Sequence, residues 1–225
     1  MTYLILVRHG ESIWNKQNKF TGWVDVPLSS NGIKEAIRSA KALGGLRIDV
    51  AFTSKLQRAQ ETLSIILANQ KKVGIFLHEE KKEKKWSFHP RLLEKDEIPI
   101  YSDKALNERY YGSLQGKNKD EVRKKFGEKQ VFIWRRSYAI RPPMGESLRD
   151  VYKRVLPYFK KNIISELDKG KNVVISAHGN SLRAIIKYIE NISDEEIPYV
   201  ELPTGKPIIY TYKERKLKRS KKFDN

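Results

Sequence analysis

Cysteine is absent from this 225-residue chain. Disulfides, thiolate nucleophiles and cysteine metal sites are therefore excluded. Long apolar runs are missing too: none approaches the roughly 20 residues of a membrane span. The opening Thr2-Tyr3-Leu4-Ile5-Leu6-Val7 is too brief for a secretory signal and has no basic segment before it. The default expectation is a cytoplasmic protein with no membrane partner. Acidic residues are scarce, with 27 Asp and Glu against 45 Lys and Arg, a net charge of +18. Such an excess attracts either nucleic acid or small anions into a basic cleft. No recognised nucleic-acid motif accompanies it, so nucleic acid is not expected as a principal partner. Part of the excess lies in stretches without apolar periodicity. Lys81-Lys82-Glu83-Lys84-Lys85 reads as a solvated loop. Lys213 to Asn225, with seven basic and two acidic residues, reads as a basic, flexible tail.

Short β-rich runs alternate with helical patterns, which predicts an α/β fold: a three-layer sandwich whose mainly parallel central sheet is flanked by helices. Strands are expected at residues 3–7, Asp49-Val50-Ala51-Phe52, Val173-Val174-Ile175 and Ile208 to Tyr212, with a weaker one at Gly74-Ile75-Phe76-Leu77. One helix follows Leu28-Ser29-Ser30, with Ile33, Ala36, Ile37, Ala40 and Leu43 as its apolar face. Another opens on the Ser54-Lys55-Leu56-Gln57 capping box. A third begins at Ser147 and repeats Leu148, Val151, Val155, Phe159 and Ile163, with a kink expected at Pro157. The last spans Leu182 to Glu190. Residues 1–212 are expected to form a single domain. Between about 78 and 104 the pattern lapses, and that stretch reads as an irregular insert.

Histidines number only four, and two share a context. His9 and His178 each end an apolar strand and each precede a glycine, Gly10 and Gly179. In an open α/β sheet ligands bind beyond the carboxyl ends of the strands, so two such histidines on neighbouring strands would meet at one ligand. Either alone would be an ordinary strand-end residue. Arg8, Arg58 and the pair Arg135-Arg136 supply cations that do not titrate and bind phosphate in forked geometry. His78 and His89 fall in the irregular stretch and are not taken as ligands.

Leu6-Val7-Arg8-His9-Gly10-Glu11-Ser12-Ile13-Trp14-Asn15 and Phe20-Thr21-Gly22-Trp23 open a series of ordered motifs. Thr53 to Ala59, Leu106 to Gly116, Ala177 to Ala184 and Leu202-Pro203-Thr204-Gly205-Lys206-Pro207 continue it over almost the whole chain. In these segments the sequence resembles the cofactor-dependent phosphoglycerate mutase branch of the histidine phosphatase superfamily. The resemblance implies an isomerase that interconverts 3-phosphoglycerate and 2-phosphoglycerate in glycolysis and gluconeogenesis. It would be primed by 2,3-bisphosphoglycerate and need no metal. His9 would carry the phosphoryl group, Arg8, Arg58 and His178 would surround it, and Glu108 would be the general acid/base, with a raised pKa expected near phosphate in a closed cleft. Substrate contacts implied in the same way are Arg8, Gly10, Glu11, Ser12, Asn15, Thr21, Gly22, Arg58, Glu108, Arg109, Tyr110, Tyr111, Lys119, Arg135, Arg136, Gly179 and Asn180.

Three departures qualify the resemblance. The 78–104 stretch is longer than the family's usual connection, Arg141 to Ser147 is shorter than a loop many members carry, and the lysine-rich C-terminus differs from the family's tail. Either a monomer or a homo-oligomer fits. A phosphomonoester phosphatase with the same chemistry is the first alternative, because a weaker lid admits water to the phosphoenzyme. A polyanion-binding protein using the basic tail is the second.

Overall fold

The computed structural model describes residues 1–70, 72–77 and 93–220. Its spine is one seven-stranded sheet: β1 (Thr2–Arg8), β2 (Val50–Thr53), β3 (Val73–Leu77), β4 (Glu97–Ser102), β5 (Val173–Ala177), β6 (Pro207–Lys213) and β7 (Lys216–Arg219). The spatial order is β3-β4-β2-β5-β1-β6-β7. The first five in that order run parallel, and β6 and β7 close one edge as an antiparallel hairpin.

Alternation along the strands divides the core. Ile5 and Val7 face one layer with Ala51 and Val174, where Ala40 of α2 (Ser30–Ala42), Leu43 just after that helix, and Leu63, Ile66 and Leu67 of α3 (Gln57–Asn69) cover them. Leu4 and Leu6 face the other, with Phe52, Val173 and Ile175. There α6 (Leu148–Tyr158) contributes Val151 and Val155, and α8 (Gly179–Glu190) contributes Leu182, Ile185 and Ile186. Full burial of such side chains stabilises by about 1.5–3 kcal/mol each. The helices α1 (Ile13–Lys16), α4 (Lys119–Phe126), α5 (Glu128–Arg136) and α7 (Ile164–Asp168) complete the set. A separate small cluster of Phe20, Leu114, Val122 and Val131 packs α4 and α5 against the segments that carry Phe20 and Leu114.

Several expectations need correction. The irregular stretch is not irregular throughout, since Glu97–Ser102 forms β4, paired to both β3 and β2. Pro99 disguised it; pairing with β2 starts only at Ile100, so the proline's missing N–H is tolerated. Residues 78–92, including His78, Trp86 and His89, lie outside the described residues. The tail is likewise not free from residue 213, because Lys216–Arg219 pairs with β6 as β7. On α2, Ala36 and Ala40 are buried but Ile33 and Ile37 are exposed, since Gly32 and Ser39 turn the buried arc toward themselves. At Pro157 the helix does not stop. A π-helical segment, Phe159–Ile163, follows and carries the chain into α7.

The register fixes the two histidines. Arg8 lies opposite Ala177 in the parallel β1–β5 pair, so the residues that follow each, His9 and His178, leave adjacent strands side by side.

Candidate active site

His9 is tied down at its backbone by a hydrogen bond from its N–H to Ala177 O at 2.9 Å. Its Nδ1 lies 2.6 Å from Gly10 O. A carbonyl can only accept, so Nδ1 carries the proton, and in the neutral ring Nε2 holds a free lone pair. Burial, then the charges of Arg58 and Arg8, hold the His9 pKa well below its ordinary value, so the neutral ring prevails. The His178 ring sits 4.9 Å from it, centroid to centroid. Burial, Arg58 and the His9 ring also depress the pKa of His178.

Ser54 explains the orientation of His178. Its fully buried hydroxyl lies 2.7 Å from His178 Nε2 and accepts from the Leu56 N–H at 3.1 Å. The hydroxyl has a proton of its own to give to Nε2, and in that arrangement the imidazole proton sits on Nδ1. The expected capping box on α3 is thus not formed: α3 starts after Leu56 with no side-chain cap, and Ser54 serves the histidine instead.

Glu108 is held at both ends. Its carbonyl accepts from Trp23 Nε1 and from Arg154 NH2. Its Oε1 accepts from the Arg109 N–H at 2.7 Å and from the backbone and side-chain nitrogens of Asn180. Burial alone would raise its pKa, but those hydrogen bonds, with the charges of Arg8 and Arg58, outweigh it, and the net shift is downward. The raised pKa expected from sequence belongs to a carboxyl beside phosphate in a closed cleft; the protein's own groups, without that phosphate, hold it low. A Cβ on Gly179 would stand 3.7 Å from both Glu108 Oε2 and Arg8 Nε, so the glycine keeps the space between them open.

His9 and Glu108 open on a cleft lined by Arg8, His9, Asn15, Lys19, Phe20, Thr21, Gly22, Arg58, Glu108, Tyr111, Lys119, Arg135, Arg136, Gly179, Asn180 and Arg183, while His178, fully buried against His9, is not part of its wall. Cations dominate the cleft wall, and among the described residues Glu108 is its single carboxylate. Burial pulls Arg58 down to about 10 and Arg183 to about 9. Lys119 falls to about 8 through burial and the nearby charges of Arg135, Arg8 and Arg123. Among the described residues, Arg8 Nε, Arg58 Nε, Arg136 NH1, Thr21 Oγ1 and His178 Nδ1 are buried without a hydrogen-bond partner. Buried donors cost about 1–3 kcal/mol each when unsatisfied, so this cluster suits a multiply charged anion that accepts from several of them.

Not every sequence candidate lines the cleft. Gly10 packs against Gly32, where a Cβ would stand 2.3 Å from Gly32 O. Glu11 accepts from the Ser29 hydroxyl, and Ser12 caps α1. Tyr110 is partly exposed and meets the Trp23 ring edge-on. Arg109 is fully buried and donates to Trp134 O at the C-terminal end of α5, the helix that carries Arg135 and Arg136. Lys19, Phe20 and Arg183 line the cleft but were missed. Of these, Arg183 had a signal, one helical turn after Gly179 on the same face of α8.

Among the described residues no helix is long and apolar enough to cross a membrane, and no three His, Asp or Glu residues are grouped to hold a metal ion. Solved structures share the fold. A mycobacterial glucosyl-3-phosphoglycerate phosphatase superposes with TM-score 0.76 at 20% identity over 98% of both chains. Bacillus stearothermophilus YhfR gives 0.75 at 24%, covering 98% of this chain and 96% of its own. Sequence relatives are nearer. The 2,3-bisphosphoglycerate-dependent phosphoglycerate mutase of Methanosarcina acetivorans is 52% identical, with 97% of this chain and 95% of the relative covered. That of Chlamydia pneumoniae is 49% identical over 99% of both. The model of the histidine phosphatase superfamily (branch 1) matches residues 4–88 and 90–224. The chain belongs to that superfamily and, within it, to the 2,3-bisphosphoglycerate-dependent phosphoglycerate mutases.

Proposed function

We infer that the protein interconverts 3-phosphoglycerate and 2-phosphoglycerate, with 2,3-bisphosphoglycerate as the donor of the priming phosphoryl group. The observation that carries this reading is the unprotonated Nε2 of His9 in a cleft with more cations than one phosphoryl group requires. The surplus, including Lys119, Arg135 and Arg136, suits a ligand that bears a carboxylate and a second anionic group. The buried donors left without partners fit the same ligand.

His9 Nε2 forms a bond to phosphorus as the ester P–O bond breaks, and the departing oxygen takes a proton. Arg8, Arg58 and the Nδ1–H of His178 neutralise charge on the equatorial oxygens during transfer. Glu108 exchanges the proton. Its Oε1 is saturated by three N–H donors, so Oε2 is the oxygen left to do so. A dianionic phosphoryl group arriving beside it, with loss of water, raises its affinity for a proton. Once primed, phospho-His9 gives its group to the free hydroxyl of a monophosphoglycerate. After the bisphosphate reorients, His9 Nε2 takes the phosphoryl group from the other oxygen, which regenerates phospho-His9 and completes the exchange. Asn15, Thr21, Gly22, Tyr111, Gly179 and Asn180 hold the substrate's remaining oxygens.

The test uses 2,3-bisphosphoglycerate labelled with ³²P and follows the label. The expected course is acid-labile label on the wild-type chain, none on His9→Ala, and chase into monophosphoglycerate. Release of the label as inorganic phosphate in preference to monophosphoglycerate would instead establish a phosphatase.

A further inference from the structure

Three consecutive residues between α8 and β6 are each gripped by a different arginine of the cleft. Arg183 Nε donates to Val200 O at 2.8 Å, Arg136 NH2 to Glu201 Oε1 at 2.7 Å, and Arg8 NH1 to Leu202 O at 2.7 Å. The three acceptors differ in kind. Val200 and Leu202 offer backbone carbonyls, which orient a guanidinium and leave its charge unneutralised. Glu201 offers a carboxylate, which cancels the charge of Arg136. The two side chains also differ in setting: that of Arg136 is 15% exposed and that of Glu201 is 69% exposed. A pair so open to water is held weakly, whereas a forked contact between an arginine and a phosphate or carboxylate inside a cleft is stronger.

We propose that Glu201 is a built-in competitor for the cleft, its carboxylate occupying Arg136 until an anionic group of the substrate displaces it. The other two grips stay in place, so displacement frees one guanidinium without loosening the wall. Every anion that needs Arg136 must first remove Glu201, and its dissociation constant rises by the same factor. Only ligands with further contacts elsewhere in the cleft then remain tightly held. The Phe132–Tyr199 ring contact, 5.9 Å between centroids, docks α5 against the same segment, so Glu201 need not position the helix itself.

This inference rests on the reading of Arg136 as a substrate contact, and its test separates the two. Calorimetric binding of 3-phosphoglycerate and steady-state mutase turnover are compared for wild type, Glu201→Gln and Glu195→Gln. Glutamine keeps an acceptor for Arg136 and removes the charge; Glu195→Gln removes the same charge at an exposed position nearby. Glu201→Gln is expected to lower Kd and KM about two- to five-fold with kcat unchanged, the range open to an exposed ion pair. Glu195→Gln should change neither, and the gain should vanish in an Arg136→Met background. An unchanged or raised Kd in Glu201→Gln overturns the proposal, as does an equal gain in Glu195→Gln or a gain that survives without Arg136. Absence of turnover with the binding gain intact would instead reject the mutase reading and leave the competitor standing.

Discussion

At the scale of single residues the cleft is governed by protonation. Lys119 has a pKa of about 8, with burial the first cause and Arg135 and Arg8 next. In the proposed function its charged form attracts the anionic substrate, and that form is lost as pH rises through about 8. The expected outcome is a fall in kcat/KM above pH 8 with little change in kcat, because a bound anion restores the proton. Lys119→Arg should shift that fall to higher pH, and Lys119→Met should remove it while lowering kcat/KM throughout. A pH series under subsaturating substrate reads all three. His9 sets the opposite limb. Its depressed pKa keeps the ring neutral well into mild acid, so activity should persist below the ordinary histidine range.

At the scale of elements, α6 offers the cleanest energetic test. Ser147 accepts from the Asp150 N–H, and the Asp150 carboxylate returns the bond to the Ser147 N–H, a complete capping box. Ser147→Ala should destabilise the fold by about 0.5–2 kcal/mol, read from urea denaturation, with catalysis in the folded fraction unaffected. This box and the unformed one at Ser54 show what sequence can and cannot tell. Both have the same local signature. At Ser147 nothing competes for the hydroxyl, and the helix starts there. At Ser54 a histidine 124 positions away claims it, and local pattern carries no information about such a partner. Strands β1, β2, β5 and β6 were legible because they are buried apolar runs. The two cap helices were not: Val122 is the only buried residue of α4 and Val131 of α5, so neither has an apolar stripe to read. Strand β4 was hidden by one proline.

The site was legible to a similar degree. His9, Arg8, Arg58, Glu108, Asn180 and the α5 arginines emerge from motifs, and the fold gathers them into one cleft. Arg109 shows the limit. It sits within the motif beside Glu108 yet faces away to hold the end of α5. Motif membership does not reveal which way a side chain points.

At the scale of the whole molecule, a chain with net charge +18 concentrates part of its repulsion in one pocket. Buried cations such as Arg8, Arg58 and Arg183, each with a pKa lowered first of all by burial, mark the cost of holding charge out of water. Inorganic phosphate relieves it. Its addition should raise Tm, with a stabilisation of about 2.7 kcal/mol once its concentration reaches roughly 100 times Kd. Sodium chloride at matched ionic strength should do much less. Acid should act the other way. His9 and His178 have folded-state pKa values below their unfolded ones, so the unfolded chain binds more protons as pH falls below about 6.5, and stability declines from there.

The bond from the Trp23 indole to the Glu108 carbonyl has a practical consequence. Trp23 also lies under the guanidinium of Arg154, 5.7 Å from the ring centroid, and is partly open to solvent. A fluorophore so coupled to the residue proposed to move the proton is a native optical reporter. Its emission should change whenever Glu108 shifts, so stopped-flow fluorescence can time each binding and transfer event with no dye attached.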